Sequence, residues 1–460
     1  MAGATLQQND LSLSNSRGLE FSNDVQLTLM EAAGKIENRT TTDRYRYESF
    51  FGRISLLLRQ KYLLNATGRR DGSSRFSDKQ KFGNFYSLSA GWIFSEEKII
   101  RKILPLISFG KFRFSYGTAG NDNIGYNHHL QAWAFNTSYL GSQPLVPVSL
   151  SSAGFTWSLT RKVEAGLEMG LFNDRVTVGI SRYLHRSSNQ LISQLSSFST
   201  GLTRYVANFP ATVDNTGWEI TLDAKKKPAS HFNWTFSLNL AITKNRLRSF
   251  PAIENSLYAG RYIVGESLNT QQLLHYTDVD PKSGLYKFDA SRLNLADLSP
   301  TLYGGIQNTL TYKQFGCDLG IDFRRQNGAN YLQQISNSPV ESPNNLPKEM
   351  QDYWTHTDQY ASFQKPTALE GSAPQISSLL FGLSDAAYSD ASFLRLRSIH
   401  LSYSFNQQQL RKTGFRLFKI YIQAQNLITV SSFKITHPET QSYYSLPLLK
   451  SLTAGVQIQL

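Results

Sequence analysis

Leu452, Ala454, Val456, Ile458 and Leu460 alternate with Ser451, Thr453, Gly455, Gln457 and Gln459, so a strand here has one apolar face and one of polar residues or glycine. The same period of two sets Phe232, Trp234, Phe236, Leu238, Leu240 and Ile242 against Asn233, Thr235, Ser237, Asn239, Ala241 and Thr243. It returns where Phe315, Cys317, Leu319, Ile321 and Phe323 alternate with Gly316, Asp318, Gly320, Asp322 and Arg324. A soluble β-sandwich also alternates, burying its apolar face, so the period alone does not separate it from a sheet facing lipid.

Applied along the chain, the pattern predicts about fourteen strands, near 20–31, 46–58, 62–69, 84–94, 110–117, 159–171, 175–185, 215–224, 231–243, 304–313, 315–324, 393–405, 415–427 and 451–460. Their connections alternate between short and long. Short ones fall at Arg59 to Lys61, Phe172 to Asp174, Lys225 to Ser230, Gln314 and Asn406 to Gly414, with a longer one from Ser95 to Phe109. Long ones run about 118–158, 186–214, 244–303, 325–392 and 428–450, with smaller ones near 32–45 and 70–83. Outer-membrane barrels place short turns on the periplasmic rim and long loops outside the cell, whereas loops of this length are uncommon in compact soluble domains. The expected fold class is therefore all-β, a transmembrane antiparallel β-barrel. Orientation follows from a periplasmic C-terminus, and the even-numbered residues of Phe232 to Thr243 are expected to face lipid, since a one-residue slip would put Asn and Thr there.

Composition then narrows the reading. The longest apolar runs, such as Ile54 to Leu58, fall far short of the roughly 20 residues of a membrane-crossing helix. The mean hydropathy of −0.34 suits barrel strands, in which only every second residue is apolar. The 28 Phe and 23 Tyr favour strands and membrane interfaces. Trp92, Trp218 and Trp234 fall within strands and need no ligand to explain them. Cys317 is the single cysteine, which excludes an intrachain disulfide and any two-thiolate metal site. The net charge of +13 is dispersed, its densest cluster being Lys225-Lys226-Lys227, and no nucleic-acid-binding motif accompanies it. Basic rims facing outer-membrane lipid and lipopolysaccharide account for it. Residues 1–30 show no signal peptide, so either the chain is soluble or its beginning is missing.

Local constellations add little chemistry. His128-His129 lacks a third ligand, and on a strand the two would point to opposite faces. Asp278, Asp280, Gly284 and Asp289 form an Asp-rich stretch in which Pro281-Lys282 departs from the ligand spacing of a calcium loop, so an ordinary polar turn is expected. No nucleophile elbow organises the Ser, His and Asp residues, so neither catalysis nor a cofactor is expected. Loop aromatics are the candidate substrate or lid contacts, through stacking on sugar rings or apolar peptide groups: Tyr126, His128, Trp133, Tyr353, Trp354, Tyr360 and Phe363. Self-packing of the loop explains Tyr353 to Phe363 equally well.

Several ordered segments carry a family resemblance. They are Tyr62-Leu63-Leu64-Asn65-Ala66-Thr67 with Arg69-Arg70-Asp71-Gly72-Ser73-Ser74-Arg75-Phe76, Ser87-Leu88-Ser89-Ala90-Gly91-Trp92 with Ser95-Glu96-Glu97, and Phe114-Ser115-Tyr116-Gly117-Thr118-Ala119-Gly120-Asn121-Asp122-Asn123-Ile124-Gly125. Next come Glu164-Ala165-Gly166-Leu167 to Phe172-Asn173-Asp174-Arg175 and Asn215-Thr216-Gly217-Trp218-Glu219. Asp390-Ala391-Ser392-Phe393-Leu394-Arg395-Leu396-Arg397 and Gln425-Asn426-Leu427 follow. From about Tyr45 to Leu460 the chain resembles the SusC/RagA-like TonB-dependent transporters of Bacteroidota.

The resemblance implies the C-terminal part of a barrel of about 22 strands, with the plug, the TonB box and some eight strands outside these residues. It implies import of an oligosaccharide or peptide across the outer membrane, a SusD-like lipoprotein over the mouth, and the TonB complex as energy source. It also implies that the barrel-assembly machinery reads the last strand through Leu452, Ala454, Val456, Ile458 and Leu460, although Leu460 stands where an aromatic is usual. On this reading the chain alone cannot drive energised uptake, because only nineteen residues precede its first expected strand. Two other readings fit the same residues: a self-standing porin or adhesin of fourteen strands, and a soluble extracellular carbohydrate-binding β protein.

Overall fold

The computed structural model describes residues 1–123, 132–135, 145–149, 155–195, 204–226, 231–256, 258–336, 347–411, 414–442 and 444–460. Twenty strands follow in order: β1 (Ala2–Leu19), β2 (Lys35–Leu58), β3 (Tyr62–Ser73), β4 (Phe82–Trp92), β5 (Ile107–Asn121), β6 (Ala132–Phe135), β7 (Leu145–Ser149), β8 (Ser158–Leu171), β9 (Val176–Leu195), β10 (Arg204–Lys225), β11 (Phe232–Ser249), β12 (Thr270–Val279), β13 (Tyr286–Asp297), β14 (Leu302–Tyr312), β15 (Phe315–Arg325), β16 (Asn327–Ala329), β17 (Tyr388–Asp390), β18 (Phe393–Ser404), β19 (Leu417–Ser431) and β20 (Ser451–Gln459). Among the described residues there are four short helices, α1 (Lys98–Ile103), α2 (Tyr331–Ser336), α3 (Ala373–Gly382) and α4 (Gln407–Leu410).

Fourteen strands share one sheet, in the order β1-β2-β3-β4-β5-β8-β9-β10-β11-β14-β15-β18-β19-β20. Three two-stranded sheets, β6–β7, β12–β13 and β16–β17, are separate from it. By contacts the chain divides into two compact units, one of Met1–Gly91, Phe114–Val163 and His185–Thr212, the other of Trp92–Arg113, Glu164–Leu184 and Val213–Leu460.

In the first unit, β1 and β2 form an antiparallel ribbon running from Ala2↔Gly52 to Leu19↔Lys35. Between β2 and β3 the chain reverses through Arg59 and Gln60, both at positive φ (51° and 55°), with the Lys61 N–H donating to the Leu58 carbonyl at 3.1 Å. Two left-handed central residues make a turn whose twist matches the flanking strands. The β2–β3 register puts Leu56 opposite Leu64 and Ile54 opposite Ala66 on one face, with Ser55 opposite Asn65 and Arg53 opposite Thr67 on the other. Toward the far end, Phe76, Phe85, Phe155 and Trp157 form a buried aromatic cluster against Tyr47, Leu159 and Leu191, and the Trp157 indole N–H donates to the Lys81 carbonyl at 3.0 Å.

In the second unit the register carries one apolar face across strand after strand. Leu238 lies opposite Ile306, Ile306 opposite Ile321, Ile321 opposite Leu396, and Leu396 opposite Ile428. A parallel row runs Trp234, Leu310, Cys317, Leu401, Ile422 and Ala454. The one polar side chain facing this way between them is Asn308, opposite Phe236, and the Trp234 indole N–H donates to its Oδ1 at 2.9 Å. The other face holds Thr309, Asp318, His400 and Gln423 in one row and Asp322 with Arg395 in another. A face this apolar, and this exposed at Leu401, Ile422, Val456 and Ile458, is suited to hydrocarbon rather than water. The even residues of Phe232 to Thr243 belong to it.

Three expectations are corrected. The first strand is Ala2–Leu19 and not 20–31, a segment that instead forms two 3₁₀ turns, Asp24–Thr28 and Met30–Ala32, joining β1 to β2. Residues 35–45 are therefore strand and not a loop, and the nineteen residues said to precede the first strand contain β1 itself. The connection placed at 186–214 is mostly strand as well, because β9 reaches Leu195 and β10 starts at Arg204.

Candidate functional site: the polar face and the loop-end segments

The polar face carries matched charges, as a surface lining a watery interior requires. In the second unit Arg395 sits directly across from Asp322, with Nη2 to Oδ2 at 2.9 Å, and its other terminal nitrogen pairs with Glu439 from the 432–450 connection. Arg397 reaches Asp322 at 3.6 Å and Gln307 at 3.3 Å. Asp318 accepts from the Thr309 hydroxyl at 2.6 Å and meets His400 Nδ1 at 3.3 Å. Arg113 pairs with Glu164 and Glu168. In the first unit Asp71 accepts from Ser49 and Arg69, each at 2.7 Å, while Asp122 accepts from the Tyr45 hydroxyl at 2.9 Å and the Ser73 hydroxyl at 2.6 Å. Arg75 lies over the Tyr45 ring at 4.4 Å and donates to the Asp122 carbonyl at 2.9 Å. Residues of the Asp71, Asp122 and Arg395 segments that carry the family resemblance thus act as cross-strand fasteners.

Arg395 also anchors the segments at the long-connection end. Gln326 donates to the Pro438 carbonyl at 3.1 Å and Gln334 to the Gln441 carbonyl at 2.9 Å, so residues 326–336 and 437–441 are tied together. The β12–β13 hairpin packs on α3 through a small core of Val279, Tyr286 and Phe381, with Tyr276, Phe288, Leu332 and Trp354 around it. Tyr286 stacks on Phe381 with ring centroids 4.0 Å apart, and burial pushes the Tyr276 phenol up to about 12.

A polar clip closes the same junction. Asp385 accepts from the Tyr276 N–H at 2.9 Å and the Asn294 amide at 2.5 Å, and faces His275 Nδ1 at 2.7 Å. Burial raises the Asp385 carboxyl, but the bonds from His275, Tyr276 and Asn294 outweigh it and hold the group below its ordinary 3.8. A carboxyl with a depressed folded-state pKa contributes stability above its unfolded value and loses it as pH falls through the folded value. Hydrogen exchange of β12 and residues 373–387 is therefore expected to stay slow from pH 7 to the ordinary carboxyl range and to accelerate only below it. Asp385→Asn is expected to exchange faster at neutral pH and to lose that acid dependence.

The aromatic candidates occupy different settings. Trp354 packs into the loop core: its indole N–H donates to the Pro281 carbonyl at 2.9 Å, Lys365 lies over its ring at 5.5 Å, and a Cβ on Gly284 would come within 2.4 Å of it. Gly284 has φ +68°, so both conformation and space call for glycine. Tyr353 is exposed and bridges to the half-buried Phe363, Tyr360 is 81% exposed, and Trp133 is exposed on β6. Tyr126 and His128, with the His128-His129 pair, lie outside the described residues. The structure thus brings Tyr353, Trp354 and Phe363 together and leaves Tyr360 reaching into solvent.

The Asp278 to Asp289 stretch folds as a turn. Asp280 accepts from the Lys282 N–H and the Ser283 hydroxyl, and Asp289 from the backbone and hydroxyl of Ser291. Those bonds hold both carboxyls below their ordinary range. Among the described residues no group of three His, Cys, Asp or Glu side chains is gathered for a metal. Sequence reasoning missed Arg395, Glu439, His275 and Asp385 as a set, since their partners lie 44 to 110 residues apart.

An antiparallel meander with one apolar and one polar face, tight turns at one end and folded segments at the other, defines the wall of a transmembrane β-barrel. No family model matches the chain. It is 29% identical over 335 residues to the TonB-dependent receptor P39 of Formosa agariphila, covering 72% of this chain and 32% of that protein. To the TonB-dependent receptor P26 of the same organism it is 26% identical over 489 residues, covering 96% and 48%. To the TonB-dependent receptor SusC of Bacteroides thetaiotaomicron it is 26% identical over 433 residues, covering 86% and 41%. The fold matches the RagAB peptide transporter with a TM-score of 0.78 at 19% identity, covering 99% of this chain and 56% of that one. It matches the "open-open" state of the RagAB peptide importer at 0.79 and 20%, covering 100% and 52%. The chain is thus similar to TonB-dependent receptors, SusC among them, and it spans between 32% and 48% of the length of these curated relatives.

Proposed function

We propose that the chain forms barrel wall and extracellular loops of an outer-membrane importer in a member of the Bacteroidota, energised by TonB and working with a SusD-like surface lipoprotein. The cargo class is an oligosaccharide or peptide too large for passive pores. The observation that carries this reading is that each unit has a polar face braced across strands, by Arg395 with Asp322 in one and by Ser49 with Asp71 in the other, backing onto an apolar one. Such a wall hosts a plug without exposing unpaired charge, and its loop-end segments are packed firmly enough to present a fixed surface to cargo and lid. In this reading the plug and the TonB box belong to the rest of the full-length protein, and Trp133, Tyr353, Tyr360 and Phe363 remain the candidate contacts.

The test uses cells lacking the full-length protein, complemented with it, and supplied with fluorescent oligosaccharide and peptide pools. Complementation is expected to restore accumulation of one class, a protonophore to abolish it, and the purified transporter to carry a stoichiometric surface lipoprotein. Uptake indifferent to the protonophore would instead establish a passive pore. Orientation is checked separately. Protease applied to intact cells is expected to cut within 325–392 and spare Lys225 to Lys227, the last of which lies outside the described residues. Cleavage at those lysines alone would invert the topology.

A further inference from the structure

We infer that the apolar face carries a phospholipid site at its turn end: a groove floored by Cys317 that takes one acyl chain, with Lys226 and Lys313 at its rim holding the phosphate. The groove has a volume of about 410 Å³ and is walled by Leu310, Tyr312, Phe315, Leu401 and Tyr403. That is the size of a small-molecule site. Its origin is a mismatch of side-chain size in one row of the sheet. Cys317 lies between Leu310 on β14 and Leu401 on β18, so a short side chain separates two long ones. The next row toward the turns is aromatic: Phe232, Tyr312, Phe315 and Tyr403 follow one another across four strands. Phe315 and Tyr403 meet edge-on with centroids 4.9 Å apart.

Aromatic rings at this level mark the interface between hydrocarbon and headgroups, so the dent lies where the upper part of an acyl chain runs. The charge fits that occupant. Lys226 Nζ stands 4.6 Å from the centroid of Phe232, and Lys313 Nζ 5.5 Å from that of Tyr312. Phe232 and Tyr312 are cross-strand partners, and the Lys313 N–H bonds to the His231 carbonyl. Two ammonium groups therefore stand over adjacent rings of the aromatic row whose Tyr312 and Phe315 wall the groove, a complement to one phosphate above one chain. The groove is continuous with the lipid-facing surface, and its assignment to the periplasmic leaflet, and hence to a phospholipid rather than lipopolysaccharide, rests on the topology proposed above.

The experiment uses the full-length transporter, extracted from vesicles of phosphatidylethanolamine and phosphatidylglycerol and weighed by native mass spectrometry. Both leaflets of such vesicles hold the same lipids, so the outcome does not depend on orientation in the cell. The wild type is expected to retain one phospholipid that Cys317→Phe loses, while Ala66→Phe, on the apolar face of the other unit, retains it. Lys226→Gln and Lys313→Gln are each expected to lower retained phosphatidylglycerol about fivefold, the effect of one lysine near an anionic lipid surface. Should Cys317→Phe fail to fold, a phospholipid with a photoreactive acyl chain is expected to label Leu310 and Leu401 several-fold more than Ile54 and Leu56. Equal retention in wild type and Cys317→Phe, equal labelling of the two regions, or displacement of the phospholipid by lipopolysaccharide would each overturn the site.

Discussion

Lysine at position 238 is expected to cost the folded sheet about 2–4 kcal/mol, whereas lysine at 239 is expected to cost little. Leu238 lies on the apolar face, midway along a run whose cross-strand neighbours are Ile306, Ile321, Leu396 and Ile428. A charge there enters hydrocarbon with no partner. Asn239 points the other way, opposite Gly305, where a lysine finds room and water. Unfolding titrations of the two full-length variants in phospholipid vesicles, scored by heat-modifiable gel mobility, measure the asymmetry directly. Equal stability of the two lysine variants would mean that the faces have been assigned wrongly.

Arg395→Met is expected to release the 432–450 connection while leaving the sheet intact. The guanidinium, 10% exposed, is shared between Asp322 on β15 and Glu439 in that connection. Removing it leaves two carboxylates facing one another without the cation between them. A hydrogen bond to a charged group contributes about 1.5–3 kcal/mol, enough to shift a surface segment from docked to open. The expected readout is faster protease cleavage and amide exchange at residues 437–441, with unchanged protection in β15 and β18. Neutralising both acids, Asp322→Asn with Glu439→Gln, is expected to recover part of the loss in the Met background. Undiminished protection of 437–441 in Arg395→Met would remove Arg395 from this role.

Most wall strands were legible because one of their faces is selected for lipid and the other for water, which writes a period of two into the sequence. β1 was not. Its residues, Ala2–Leu19, include Gln7-Gln8-Asn9-Asp10 and Ser14-Asn15-Ser16-Arg17, polar runs that occupy both faces. Cross-strand backbone pairing with β2, helped by contacts such as Arg44 with Asp10, holds it instead of burial. Pairing of that kind leaves no periodic trace. The same reason hides the extensions of β9 and β10. Among site residues, aromatic tracts stood out by composition, but nothing local announces that Trp354 supports a loop core or that Asp385 clips a hairpin 110 residues away. Those roles depend on which segments meet, a property of the folded chain.

The irregularity at Arg397 has a consequence for how such walls tolerate change in length. Gly320 pairs with Ser398 and Ile321 with Leu396, so Arg397 is an extra residue with no partner on β15. On the other side the ladder jumps from Leu396↔Ile428 to Ser398↔Gln425, around Asn426 at φ +53°. Leu394 and Leu396 face lipid from even positions, Ile399, Leu401 and Tyr403 from odd ones, and the extra residue is what reconciles the two phases. Substituting it leaves both phases in place. Deleting it forces one half of the strand to turn over, sending either Arg395 into hydrocarbon or Leu401 toward the polar side. At this point in the wall the count of residues constrains the sequence more tightly than their identity does.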